Sequence, residues 1–264
     1  MRVVWLDGER VEPARAALSI DDPGVRWGEG LFETMRAERG RVALLERHLD
    51  RLIASATALG LAPMPTRPAM RADVRAALDA SGPGPLRVRL SATPHPTLLI
   101  ETSPVAELAA EVPGASAATV PGAWSAGNRI AEHKCLSYAA HRWSQRRAEA
   151  AGADHALLLD ERGRLGEAAL GSVFCVIAGT LMTAPASGLL AGVARSVVQQ
   201  AMAVCEEVLE ESVWRSADEI VLTNAVGGAV ALVAVDGASV GDGGVGPMAR
   251  SIADALRAAL GGSA

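Results

Sequence analysis

Aromatic side chains are scarce in this chain, which has one tyrosine, Tyr138, and only two phenylalanines. Aromatic residues make up 3% of the 264 residues, and the formal net charge is −5. Nucleic-acid-binding proteins usually combine a basic surface with aromatic side chains on which bases can stack. The composition therefore argues against a nucleic-acid partner. Half of the residues are hydrophobic, which is enough to build a large buried core in a globular protein.

Long apolar runs are also missing. No stretch approaches the roughly 20 consecutive apolar residues of a membrane-spanning helix, and the N-terminal segment has no apolar signal core. Cys135, Cys175 and Cys205 are widely spaced and form no CxxC motif. This spacing predicts neither a disulfide framework nor a metal site. We accordingly expect a cytoplasmic protein with no membrane partner and no bound metal.

Lysine is the scarcest charged residue. Of the 25 lysine and arginine residues, Lys134 is the only lysine. A lysine amine can form an imine with a carbonyl compound, whereas a guanidinium group cannot. A lysine that persists in an arginine-rich chain is therefore a candidate for covalent chemistry. The alternative is an ordinary solvated lysine at the start of a helix.

The first hundred residues mix strand and helix patterns. Alternating or apolar runs predict strands at 2–7, 85–92 and 97–103, and helical spacing of apolar residues predicts helices at 44–61 and 67–80. The segment 19–35 carries three glycines and predicts a turn-rich entry into a further strand. These elements indicate a small N-terminal α+β lobe over residues 1–105.

Proline, glycine, serine and alanine are concentrated in residues 106–122, which we interpret as a linker. Beyond it, the patterns predict helices at 138–151, 193–209 and 247–260, and strands at 156–159, 171–179, 180–184, 219–224 and 229–235. The sequence thus predicts an α+β or α/β protein with two mixed lobes. The larger C-terminal lobe spans residues 123–264 and carries Lys134.

Six segments follow one another in a characteristic order. They are WGEGLFET (27–34), HLDRL (48–52), KCLSY (134–138), the stretch 163–174 that contains Glu167, GVAR (192–195) and LTNA (222–225). In order and spacing they resemble the class IV, or fold-type IV, pyridoxal-phosphate enzymes over nearly the whole chain. That family includes branched-chain aminotransferases, D-amino-acid aminotransferases and 4-amino-4-deoxychorismate lyase. The resemblance implies a barrel-like sheet in the larger lobe, pyridoxal 5'-phosphate as cofactor, and a homodimer.

The resemblance also implies roles for individual residues. Lys134 matches the lysine that forms a Schiff base with the cofactor and then moves the substrate proton. Glu167 matches the carboxylate that keeps the pyridine nitrogen protonated. Tyr138 matches a tyrosine near the phenolic oxygen of the cofactor ring. The alternatives are a surface carboxylate at a turn for Glu167 and a core aromatic residue for Tyr138.

Three places match the family's phosphate-binding residues. Arg51 matches an arginine that pairs with the phosphate, with a helix-surface salt bridge as the alternative. Val193 and Ala194 lie where backbone N–H groups at a helix start bind the anion. Asn224 and Ala225 match a loop on the other side of the phosphate, with a plain strand end as the alternative. The family usually has threonine where Ala194 stands, so one hydroxyl ligand is missing there. Ser172 stands where the family commonly has asparagine.

The resemblance leaves the reaction open. The Thr-Asn-Ala loop at 223–225 is most similar to that of aminodeoxychorismate lyase, which converts 4-amino-4-deoxychorismate into 4-aminobenzoate and pyruvate in folate biosynthesis. Transamination of branched-chain or D-amino acids with 2-oxo acids is the alternative, because it uses the same cofactor and the same base. Substitutions at Ala194, Ser172 and Gly227 allow a third interpretation, a degenerate homologue without turnover.

Substrate carboxylates need cationic partners, and the arginines usual in the family are absent at Gly227 and in the segment 91–97. The remaining candidates are Arg26, Arg87, Arg89 and His95. The sequence alone does not place them.

Overall fold

The computed structural model describes residues 2–261, and the chain divides into two compact units. Unit 1 contains residues up to 107, together with 134–137 and the residues from 259 onwards. Unit 2 contains residues 108–133 and 138–258. The mixed α and β architecture predicted from the sequence is confirmed.

Unit 1 is built on an antiparallel sheet with two long helices. Its elements are β1 (Val3–Leu6), β2 (Glu9–Val11), α1 (Pro23–Arg26), β3 (Leu31–Glu38), β4 (Arg41–Val42), α2 (Leu45–Ala58), α3 (Arg67–Asp79), β5 (Leu86–Ala92) and β6 (Leu98–Pro104). The strands are ordered β2-β1-β6-β5-β3-β4. The helices and the central strands enclose one apolar core.

The two long helices form where the sequence predicts them. In α2, Leu49, Leu52 and Ala56 recur at three- and four-residue spacing and are buried against the sheet. Helix α3 begins after Thr66, whose hydroxyl accepts from the Ala69 N–H, and Pro68 occupies its first turn. A proline there costs no hydrogen bond, because the first N–H groups of a helix have no intrahelical acceptor.

Residues 134–137 belong to unit 1 because they pair with the start of β3. The Phe32 N–H donates to the Lys134 carbonyl and the Leu136 N–H to the Gly30 carbonyl, each at 2.9 Å. Gly30 adopts φ of +151°, and a Cβ there would lie 2.7 Å from both the Ala92 carbonyl and the Leu136 side chain. Glycine therefore permits this close approach. We expected Lys134 in the second lobe, whereas this pairing joins it to the first unit.

Unit 2 is built on a mixed sheet with flanking helices. Its elements are β7 (Gly114–Val120), a 3₁₀ helix (Arg129–Glu132), α4 (Ala139–Ala150), β8 (His155–Leu159), β9 (Leu165–Ala168), β10 (Ser172–Ile177), β11 (Thr180–Thr183), α5 (Val193–Ala201), β12 (Cys205–Glu206), α6 (Glu211–Trp214), β13 (Glu219–Asn224), β14 (Gly228–Val235), β15 (Ala238–Ser239) and α7 (Pro247–Leu260). The strands are ordered β12-β11-β10-β13-β14-β7-β8-β9, and β15 pairs with β14.

Two segments of unit 2 differ from the sequence interpretation. Residues 106–122, which we predicted to be a linker, contain β7, which pairs in parallel with β14 and β8. The residues of β7 are small and only partly buried, so their composition resembles that of a linker and does not indicate a strand. The helix predicted over 193–209 ends at Ala201, because residues 205–206 pair with β11 instead. Within residues 2–261, no helix combines the length and apolar character needed to cross a membrane.

Candidate active site

The amine of Lys134 lies against the ring of Phe32 in unit 1. Its Nζ atom is 4.6 Å from the ring centroid, and the guanidinium carbon of Arg89 is 3.8 Å from the same centroid. The electron-rich faces of aromatic rings attract cations, so Phe32 can hold both groups near each other despite their like charge. The Lys134 amine and the Arg89 guanidinium thus contact the same ring, and the guanidinium is suited to bind a carboxylate.

Arg89 is the one residue among the four candidate carboxylate ligands that contacts this ring. Arg26, Arg87 and His95 are exposed, and Arg26 lies instead over the ring of Trp27, at 4.8 Å. Arg89 is half-buried on β5, where its Cα pairs with that of Thr34 on β3. The structure thus distinguishes candidates that the sequence left equivalent.

Cys135 follows Lys134 directly but is a weaker candidate nucleophile. Burial raises the pKa of its thiol, which keeps the sulfur protonated near neutral pH. Its Cα pairs with that of Leu31 across the short bridge to β3, and its side chain packs against the apolar core. Cys135 therefore has a structural role, and Lys134 remains the nucleophile of this segment.

Arg51 pairs with the buried carboxylate of Glu33. Its Nε and Nη2 atoms donate to the two Glu33 oxygens at 2.8 and 2.6 Å. Burial alone raises the pKa of Glu33, but the charge of Arg51 and the hydrogen bonds from His48 and Arg51 lower this pKa to about 2. Glu33 is therefore ionised near neutral pH. The helix-surface salt bridge considered for Arg51 is in fact an ion pair at the buried face of α2.

His48 completes this group. Its Nδ1 atom is 2.6 Å from a Glu33 oxygen, and an ionised carboxylate can only accept, so Nδ1 carries the proton. The side chains of successive strand residues point to opposite faces, and β3 pairs with β5 without a bulge. The Glu33 group and the Phe32 ring accordingly lie on opposite faces of β3. Thus Arg51 and Lys134, both predicted to contact one cofactor, approach β3 from different sides.

In unit 2, the carboxylate of Glu167 lies on β9 and is 7% exposed. One of its oxygens is 3.4 Å from Nε2 of His141 on α4. The imidazole ring of His141 stacks on the ring of Tyr138, with centroids 4.3 Å apart and an interplanar angle of 5°. The Tyr138 hydroxyl donates to the Ala169 carbonyl at 2.9 Å. Glu167 is thus a buried strand carboxylate, and the surface turn considered for it is wrong.

Two of the three segments predicted to bind phosphate, the start of α5 and the turn at 224–225, lie next to Ser172 in unit 2. Helix α5 begins at Val193 and Ala194, and its N-cap residue Gly192 offers no side-chain cap. A Cβ added to Gly192 would lie 2.7 Å from the Ser172 hydroxyl. Ser172 also pairs with Thr223, next to the turn that contains Asn224 and Ala225. The helix start and this turn are therefore neighbours.

The Asn224 side chain shapes its own turn. Its Oδ1 atom accepts hydrogen bonds from the N–H groups of Val226 and Gly227, at 3.0 and 2.8 Å. Asparagine side chains commonly stabilise turns in this way. This oxygen serves the turn, and contact of Asn224 or Ala225 with a phosphate stays a prediction.

Two contributors were missed from the sequence. His141 lies three residues after Tyr138 on a predicted helix, so the two share a helix face, and this spacing could have revealed the pair. Glu33 stands between Leu31 and Met35 on the buried face of β3, and a charged residue in an apolar alternation is a signal for a buried ion pair.

The residues fit a cofactor that carries an aldehyde, a basic ring nitrogen and a phosphate. Unit 1 contains the amine of Lys134. Unit 2 contains the buried carboxylate of Glu167 and, at α5, a helix start whose N–H groups can bind an anion. Across residues 2–261, no cluster of histidine, cysteine or acidic side chains is suited to hold a metal ion.

Comparison with known proteins points to one family. The family model for amino-transferase class IV matches residues 30–235. The chain is 27% identical over 286 residues to the branched-chain-amino-acid aminotransferase-like protein 2 of Arabidopsis thaliana, covering 99% of the chain but 51% of that relative. It thus spans about half the length of this curated relative.

A curated protein and a solved structure, both from Mycobacterium tuberculosis, are also similar. A bifunctional aminodeoxychorismate lyase / D-amino acid transaminase is 32% identical over 178 residues, which covers 61% of each chain. The solved structure of a hypothetical aminotransferase in its PLP-bound form superposes with a TM-score of 0.86 at 26% identity, covering 98% of this chain and 99% of that one.

Proposed function

Because the chain belongs to the amino-transferase class IV family of pyridoxal-phosphate-dependent enzymes, we propose that it transfers an amino group between an amino acid and a 2-oxo acid. Pyridoxal 5'-phosphate is its cofactor. The net reaction exchanges the amino group of one acid for the carbonyl oxygen of the other. Atoms and electrons balance without an external oxidant.

The chain's own residues divide the chemistry between them. When bound, pyridoxal phosphate supplies an aldehyde and an electron-withdrawing ring. The Lys134 amine would hold the cofactor through its aldehyde and would accept the proton from the substrate α-carbon. The Glu167 carboxylate would keep a proton on the ring nitrogen. His141 contacts Glu167 and stacks on the ring of Tyr138.

Phosphate binding is assigned to the start of α5. The N–H groups of Val193 and Ala194 lie in the first turn, at the positive end of the helix dipole, where an anion is stabilised. Asn224 and Ala225 form the neighbouring turn.

The observation that carries the proposal is that Arg89 and the Lys134 amine contact the same ring, that of Phe32. Amino acids and 2-oxo acids share a carboxylate next to the reacting carbon. Guanidinium binds a carboxylate through two parallel hydrogen bonds, which fixes the orientation of that carbon. An amine and a guanidinium on one ring therefore suit this substrate class.

The test is a transamination assay with purified, cofactor-loaded protein and a panel of amino donors. Branched-chain L-amino acids and D-alanine are offered as donors with 2-oxoglutarate, and glutamate formation is followed. We expect turnover with at least one donor. Absence of glutamate with every donor, in protein that has bound the cofactor, would contradict the proposed transfer and favour a degenerate homologue.

Aminodeoxychorismate lyase activity is the second candidate. The Thr223–Ala225 loop favours it, as does similarity to a bifunctional protein that carries both activities in its name. The same preparation is incubated with 4-amino-4-deoxychorismate, and pyruvate is measured. Pyruvate release without any glutamate formation would select the lyase.

A homodimer and a cytoplasmic location complete the proposal. Leu18, Ile20, Val25 and Trp27 of unit 1 are exposed apolar side chains within ten residues of sequence, and Ile20 is 80% exposed. Such patches on soluble proteins commonly mark interaction surfaces, and a second copy of the chain would cover this one. Sedimentation of the wild type against Ile20→Asp tests the dimer, which we expect the substitution to weaken.

A further inference from the structure

The start of α5 has only backbone donors for an anion, and no side chain of its own occupies them. Gly192, at the N-cap, has no side chain with which to accept from the first-turn N–H groups. Ala194, in the first turn of the helix, has no hydroxyl to donate. Backbone N–H groups alone therefore remain at this end of α5 itself.

The Ser172 side chain is directed at this helix start from the neighbouring strand β10. Ser172 is 8% exposed, and its Oγ atom would lie 2.7 Å from a Cβ placed on Gly192. Among residues 2–261, its hydroxyl makes no hydrogen bond. This oxygen is not among the side-chain atoms sealed from solvent without a partner, so the hydroxyl is open to a bound group at the helix start.

Ser172 also adjoins the second segment assigned to the phosphate. Its Cα pairs with that of Thr223, and the Thr223 hydroxyl reaches the Ser172 carbonyl at 3.5 Å. The next residue, Asn224, begins the turn to β14. One buried hydroxyl thus lies between the helix start and the turn.

We propose that the Ser172 hydroxyl donates a hydrogen bond to the cofactor phosphate at the start of α5, in place of the hydroxyl missing at Ala194. The inference rests on the proposed function, because it takes the bound anion to be this phosphate. A side-chain hydroxyl one strand away can replace one on the helix when both reach the same oxygen. Ser172 would otherwise serve only as a substitute N-cap of α5, which is the competing explanation.

The two explanations differ in what they predict for pyridoxal, which lacks the phosphate. Dissociation constants of pyridoxal 5'-phosphate and pyridoxal are measured by absorbance titration of the apo protein. We expect Ser172→Ala to weaken binding of the phosphorylated form about tenfold and to leave pyridoxal binding unchanged. The loss of one hydrogen bond to a charged group changes a dissociation constant by about this factor. Ser172→Thr keeps the hydroxyl and should bind both compounds as the wild type does.

Two further variants test the replacement itself. Adding Ala194→Thr to Ser172→Ala places a hydroxyl on the first turn of α5 itself and should recover most of the lost affinity. Gly192→Ala keeps the Ser172 hydroxyl but pushes it aside, and should weaken phosphate recognition in the same direction. Ser144→Ala, which removes another buried serine hydroxyl of unit 2, is the matched control and should change neither constant.

The outcomes separate the inference from the function beneath it. If the wild type binds neither compound, the proposed function fails. If the wild type binds the cofactor and Ser172→Ala keeps the full preference for the phosphorylated form, the inference is overturned. Equal weakening of both compounds would also overturn it, because that result assigns Ser172 to helix capping alone. Should Ser172→Ala fail to fold, Gly192→Ala and Ser172→Thr still decide the question.

Discussion

Arg51 donates hydrogen bonds to both oxygens of Glu33, and the pair is buried between α2 and β3. Three groups of unit 1 meet there, because His48 contacts the same carboxylate. Arg51 thus has a fixed orientation before any anion arrives. Glu33 is the residue that sets this orientation.

Replacing Glu33 with glutamine should destabilise the protein by roughly 3–5 kcal/mol, because the substitution removes the buried carboxylate that faces the Arg51 guanidinium. Chemical denaturation measures the change. Glu46→Gln is the matched control, since Glu46 also pairs with two arginines but does so at the surface. Its effect should be much smaller, because water screens exposed ion pairs. Equal losses in the two variants would contradict the buried role of Glu33.

Stability should fall in acid because of the same group. The pKa of Glu33 is lowered from 4.5 to about 2, so its contribution is complete above pH 4.5 and is lost as pH falls towards 2. The shift corresponds to about 3 kcal/mol. Unfolding free energies between pH 6 and 2.5 should show this loss in the wild type but not in Glu33→Gln. Parallel pH profiles for the two proteins would argue against it.

Arg89→Ala should raise the KM for the amino donor at least tenfold, because a charge-assisted hydrogen bond to the substrate carboxylate is lost. Steady-state kinetics on the cofactor-loaded enzyme measure it. Arg87→Ala removes an exposed arginine two residues away on the same strand and serves as the control. A larger effect at Arg87 than at Arg89 would place the carboxylate elsewhere.

Glu167→Gln should lower kcat on the order of 10²-fold while the protein still binds the cofactor, since a neutral amide holds the ring proton poorly. His141→Asn should cost less, because its 3.4 Å contact with Glu167 is a long one. The exposed residue Glu161, six positions earlier, provides the control as Glu161→Gln. Unchanged turnover in Glu167→Gln would remove this carboxylate from the chemistry.

Tyr138→Phe should lower the free energy of unfolding by about 1 kcal/mol, because the hydrogen bond to the buried Ala169 carbonyl is lost while the stack on His141 remains. Denaturant titration followed by circular dichroism measures it. Tyr138→Leu also removes the stack and should cost more. A phenylalanine variant as unstable as the leucine variant would mean that the hydroxyl carries the whole contribution.

Much of the fold was predictable because its elements follow local patterns. Helices α2 and α3 have apolar residues at helical spacing, and β10, β13 and β14 are apolar runs. Strand β7 could not be predicted from local patterns, because its partners β14 and β8 lie far along the chain and its own residues are small. Residues 205–206 were mistaken for helix for the same reason, since pairing with β11 overrides local propensity.

The candidate site was predictable to a similar degree. Lys134 and Glu167 stood out by rarity and by motif, but their surroundings depend on contacts across the sequence. Nothing local in Arg89 or Ser172 indicates that one faces Phe32 and the other Gly192. Strand register brings them there, and register is set by long-range pairing.

The most direct test of the account uses the fact that Lys134 is the only lysine in the chain. Protein is incubated with pyridoxal 5'-phosphate, reduced with borohydride and analysed by intact and peptide mass spectrometry. The account predicts a single cofactor addition that maps to Lys134 and is absent from Lys134→Arg, which keeps the charge but cannot form an imine. No addition, or an addition that persists in Lys134→Arg, would contradict it.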